Sequence, residues 1–65
     1  MSVQITMANV MSYETAEHFY TWLERDVFED ERHDVEQGIH ALLRDFPEII
    51  DTHSWPEMRR MAEAA

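Results

Sequence analysis

The chain has 65 residues, 14 of them acidic and five basic, for a net charge of −9. All five cations are arginine, cysteine is absent and there is a single glycine. That balance excludes nucleic-acid binding by phosphate neutralisation, a disulfide scaffold, a thiolate zinc site, a cysteine nucleophile and a glycine-rich phosphate loop.

A chain this short buries only about 60% of the surface its unfolded form exposes, so one small domain over residues 1–65 with a marginal core is expected. Met1 to Tyr13 carry no charged side chain. They lack the positive start and unbroken apolar stretch of a secretory signal. Gln4, Thr6, Asn9 and Ser12 interrupt the ~20-residue apolar run that a membrane span needs. A soluble, cytoplasmic protein is expected. Val3, Ile5 and Met7 alternate with Gln4 and Thr6, the period of a half-buried strand. This short N-terminal extended segment would pair with another strand, pair across a dimer, or lie over helices.

Ser12 reads as a helix N-cap, with Glu14 in the first turn where the helix dipole favours an anion. Tyr13, Ala16, Phe19, Tyr20, Leu23 and Val27 follow as one apolar stripe at helical spacing. Glu14, Glu17 and Glu24 lie off it, and so does Trp22, on the flank shared with Asp26. The cluster Glu29-Asp30-Glu31 supplies the break, with Asp30 as N-cap of a second helix. Val35, Ile39, Leu42 and Phe46 form that helix's narrow stripe. Gly38 within it costs about 1 kcal/mol against alanine and predicts close helix packing. Asp45-Phe46-Pro47-Glu48 and Ser54-Trp55-Pro56-Glu57 then repeat one layout: capping residue, aromatic, proline, glutamate. Each reads as a helix start with a capping-box glutamate. The first predicts a short turn over Phe46 to Ile50. The second predicts a helix from Trp55 to about Ala64 with Trp55, Met58, Met61 and Ala62 inside. The fold class is mainly α, a three-helix domain.

His33, Glu36 and His40 project from one side of the second helix, but zinc usually takes four ligands and no fourth is identifiable. They read as exposed polar residues, with no metal and no cofactor assigned. Paired carboxylates suited to catalysis need an apolar pocket that raises one pKa. These acids sit on solvated faces and helix starts, so the chain reads as no enzyme. The five methionines read mainly as core. Trp22, outside the stripe, reads either as packed under the N-terminal segment or a dimer mate, or as an interface anchor.

The strongest signal is charge. Glu14, Glu17, Glu24, Asp26, Glu29, Asp30, Glu31, Asp34 and Glu36 fall within 23 residues, opposed by Arg25 and Arg32, for nine acids less two cations or −7. Gln37 to Ala65 hold five acids and three arginines, or −2. Solubility asks only for a net magnitude of about 2 to 8, and self-repulsion beyond that opposes compaction. The surplus points to a cationic partner, such as a groove built for DNA. On this reading the nine acids and Trp22 bind the partner.

In size, in its lack of lysine and cysteine, and in the dense acids from Glu14 to Glu36, the sequence resembles the small acidic anti-CRISPR proteins of phages and mobile elements. It is most similar to inhibitors of type I-C systems. That family has no diagnostic motif to carry over, so the site residues remain those of the charge reading. The resemblance implies an inhibitor that binds a Cas subunit of a type I surveillance complex in the bacterial host cell, with loss of target-DNA binding or of nuclease recruitment. Joined to the charge reading, it makes the acidic surface a DNA mimic that binds a basic Cas subunit and blocks target DNA. From the charge and the lack of an apolar span, no direct nucleic acid or membrane partner is expected, and a monomer or weak dimer is expected. The alternative is a protein–protein adaptor or transcriptional regulator that binds through apolar grooves.

Overall fold

The computed structural model describes residues 11–64, and the alternating segment Val3 to Met7 lies outside them. Helix α1 spans Tyr13–Asp26, a 3-10 turn at Glu29–Glu31 runs into α2 over Arg32–Asp45, a second 3-10 turn covers Pro47–Asp51, and α3 spans Trp55–Ala64. The described residues hold three α-helices and no strand, so the fold is mainly α.

Helix α1 starts where its cap requires. Ser12 is extended, and its Oγ accepts from the Thr15 amide at 3.1 Å, satisfying one of the orphan donors of the first turn. Ala16, Phe19, Trp22 and Leu23 are its buried residues. Two positions depart from the expected stripe. Tyr13 is 80% exposed, whereas Trp22, expected on the flank, is only 7% exposed. The reason lies in α3, which supplies a second indole. Trp55 lies 6.4 Å from Trp22 and 5.0 Å from Phe19, ring centre to ring centre, and Phe19 is fully buried between its aromatic neighbours. Offset and tilted pairs at this spacing add to simple area burial. The buried arc of α1 therefore rotates toward the indole, and Tyr13 is left outside.

No glycine ends α1. Val27 turns extended, and its amide still reaches the Leu23 carbonyl at 3.2 Å. Arg32 adds side-chain bonds at this end of the helix. Its Nε donates to Leu23 O at 3.0 Å and Val27 O at 3.1 Å, and Nη2 donates to Glu24 O at 2.8 Å. A guanidinium thus does what a glycine cap would otherwise do. Asp30 is not the N-cap of α2. The chain is already helical at Glu31, so the helical path begins at Phe28, whose carbonyl accepts from the Glu31 amide at 2.9 Å.

On α2 the buried line is Val35, Ile39 and Leu43, with Leu42 half-buried. Phe46, expected to complete the stripe, is 50% exposed. Pro47 disfavours helical backbone at the residue before it, and Phe46 accordingly leaves the helix at φ −135°, ψ 67°. Asp45 makes no capping bond to the turn that follows. The second of the paired layouts does form its box. The Ser54 amide donates to Glu57 Oε1 at 2.8 Å, and the Glu57 amide donates to Ser54 Oγ at 3.3 Å. The backbone bond from Ser54, with its hydroxyl adding to it, holds the Glu57 carboxyl below its ordinary range. Met58 is the buried residue of α3, and Trp55, Met61 and Ala62 pack beside it. Gly38 marks the close crossing expected of it, since a Cβ there would lie 3.2 Å from the Ala62 Cβ.

Arg32→Ala removes all three bonds to the end of α1, leaving the Leu23 carbonyl with the Val27 amide alone and the Glu24 and Val27 carbonyls without this donor. Bonds from a charged donor contribute about 1.5–3 kcal/mol, so a loss of about 2 kcal/mol in unfolding free energy is expected by urea titration. Arg32→Lys should recover less than half of it, because an ammonium cannot reproduce the planar fork.

Candidate functional site

The ten residues that the charge reading brings together do not form one surface. Glu14, Glu17 and Glu24 are exposed and, at 100° per residue, fall within about 80° of one another on the outer side of α1. Asp26, about 120° from Glu14 around the axis, lies off this strip on the flank shared with Trp22, and with Glu29 and Asp30 it makes a second exposed acidic group at the corner between α1 and α2. Asp26 lies 3.5 Å from Arg25, an exposed pair that neutralises little. Glu29 and Asp30 have no cationic partner within salt-bridge distance among the described residues.

The other three acids are turned elsewhere. Glu31 accepts from Arg59 Nη2 at 2.7 Å, and Arg59 Nε donates to Glu63 at 3.0 Å. Held by Glu63 and Glu31, the Arg59 guanidinium is pushed further up from its already high pKa. Asp34 faces α3 and lines a shallow groove of about 220 Å3 with Val35, Gly38, Arg59, Ala62 and Glu63. Glu36 lies in the seam between α1 and α2, where it accepts a hydrogen bond from the Tyr20 hydroxyl. Burial first, and then the Glu36 carboxylate, raise the Tyr20 pKa above its ordinary value.

Trp22 needs a correction. An indole 7% exposed and stacked between Phe19 and Trp55 is core, so it is not available at the surface as an anchor. The residue that sequence reasoning missed is Phe28. It is 77% exposed at the corner, between Asp26 and Glu29. A signal for it lies in the run Asp26-Val27-Phe28-Glu29-Asp30, where two adjacent apolar residues follow the last helical stripe and the core takes only one.

The histidine group separates as well. His33 is exposed, whereas His40 is half-buried with its ring 5.8 Å from Phe19. Its Nε2 is buried without a hydrogen-bond partner. Among the described residues no group of three or more His, Asp or Glu side chains is arranged to hold a metal ion. No helix of the described residues is long and apolar enough to cross a membrane. Comparison with known proteins finds no matching family model, no matching curated protein and no matching solved structure.

His40 gives the seam a pH dependence. Burial lowers its pKa from 6.5, the Glu36 carboxylate opposes that shift, and Arg44 adds to it. The unfolded chain therefore takes up this proton before the folded one does. Stability from the neutral ring is fully present above about pH 6.5 and is lost as pH falls from there toward the lower folded value. The thermal midpoint should hold steady from about pH 8 to 7 and decline between about pH 6.5 and 5. In His40→Gln the decline over that window should flatten, leaving only the carboxylate-driven loss at lower pH.

Proposed function

We propose that this chain is a non-enzymatic inhibitor that occupies a cationic nucleic-acid-binding surface on another protein. The target we propose is a Cas subunit of a type I CRISPR surveillance complex, of the I-C kind, with target-DNA binding as the step blocked. The observation that carries the reading is the exposure of two acidic groups, a strip of Glu14, Glu17 and Glu24 along α1 and the group Asp26, Glu29 and Asp30 at its corner. Two of the five arginines are committed to contacts within the fold, Arg32 to backbone carbonyls and Arg59 to Glu31 and Glu63. Arg25, exposed beside Asp26, offsets part of the acidic charge.

Such a strip favours steered encounter with a basic groove and release of the counterions held there. Magnitude limits what it replaces. Glu14 and Glu24 are about 15 Å apart along the helix axis, whereas duplex DNA carries about one charge per 1.7 Å. The strip fits part of a DNA-binding groove and blocks it by occupying that part. The resemblance to acidic anti-CRISPR proteins supports the choice of target.

The test is displacement of duplex target DNA from a purified type I-C effector complex. Wild-type inhibition should weaken steeply between about 50 and 200 mM salt. The double variant Glu29→Lys/Asp30→Lys should lose most of it while keeping its helical circular dichroism. Glu31 is left intact because its reversal would also break the Arg59 bridge. Full inhibition by the double variant would reject the charge-driven mechanism.

A further inference from the structure

We infer that Phe28 is the apolar anchor of this interface, entering a socket on the partner protein that is ringed by arginine or lysine. The inference rests on the cationic-partner reading above and identifies the part of the acidic surface that meets the partner's centre. The backbone dictates the exposure of Phe28. Val27 and Phe28 are both extended, at φ −122°, ψ 132° and φ −60°, ψ 145°. Successive side chains of extended backbone point to opposite sides. Val27 is buried in the core, so Phe28 is directed outward.

The corner is also pinned on both sides of the ring. The Val27 amide is bonded to Leu23 O, its carbonyl accepts from Arg32, and the Phe28 carbonyl accepts from the Glu31 amide. An aromatic on held backbone has only two side-chain torsions left to immobilise, which keeps the entropic cost of docking small. Its surroundings define the socket. Asp26, Glu29 and Asp30 flank Phe28 in sequence and are exposed with it, so a complementary surface is an apolar depression with cations at its rim. Phe46, also half-exposed, lies at the far end of α2, about 20 Å away along the helix axis and outside the strip.

The test titrates a fluorescently labelled chain with purified type I-C effector complex at about 50, 100 and 200 mM salt, comparing wild type, Phe28→Ala and Glu29→Lys/Asp30→Lys. Phe28→Ala should weaken binding by about tenfold or more at every salt concentration, with the slope of log Kd against log salt unchanged. The double charge variant should flatten that slope. Circular dichroism and thermal midpoint of Phe28→Ala should match wild type, since the ring packs on no core residue. Binding of Phe28→Ala equal to wild type overturns the anchor and leaves the charge reading standing. A wild-type chain that does not bind the complex overturns both. A dimer detected by sedimentation and dissolved by Phe28→Ala would assign the ring to a second copy instead. Binding of labelled single-stranded DNA that Phe28→Ala abolishes would assign it to base stacking. Either result overturns the protein socket.

Discussion

The guanidinium of Arg32 holds the corner on which the rest of the molecule depends. It reaches back from the first residue of α2 to three carbonyls at the end of α1 and so ties the start of one helix to the end of the other. That one contact has three consequences. The last turn of α1 is satisfied without a glycine, Val27 is directed inward, and Phe28 is directed outward. A planar cation with several donors suits this task, and it explains why an acid-rich segment retains an arginine at its middle.

The charge economy of the fold follows from how the cations are placed. Arg32 is used on backbone and Arg59 on a bridge from α3 to Glu31, so two of five positive charges act as internal fasteners. The carboxylates split accordingly. Glu31, Glu36 and Glu63 are drawn into contacts between or along helices, whereas those on the outer side of α1 and at the corner stay in water. Self-repulsion among the latter opposes compaction. The opposing term is a compact aromatic core, in which Phe19 lies against Trp22, Trp55 and His40.

The seam between α1 and α2 combines two demands. Tyr20 and Glu36 bridge it by a hydrogen bond, and His40 fills the space beside Phe19 with an unpartnered ring nitrogen. Partial burial of an imidazole whose Nε2 has no partner favours its neutral form, against the pull of the Glu36 carboxylate. Helix packing here is therefore sensitive to protons in a range where the carboxylates are still charged. The α2–α3 contact has no such group at its crossing, where Gly38 and Ala62 bring the backbones close.

Local rules were legible in the sequence wherever the deciding partners lie within a few residues. The Ser12 cap, the Ser54–Glu57 box and the span Trp55–Ala64 each depend on side chains and backbone a few residues apart. What the pattern could not reveal depends on partners distant along the chain. Trp22 is core because Trp55, thirty-three residues later, stacks on it, and no periodicity in α1 encodes that neighbour. Leu43 displaces Phe46 from the stripe because Pro47 ends the helical path, a local cue whose effect on burial appears only against α3 and the core. The number and density of carboxylates were readable from composition, but their division among a surface strip, a salt bridge and a helix seam was not. Composition counts charges, whereas the direction each one faces depends on how the helices pack and on which partners, such as Arg59 for Glu31 and Tyr20 for Glu36, the fold brings alongside.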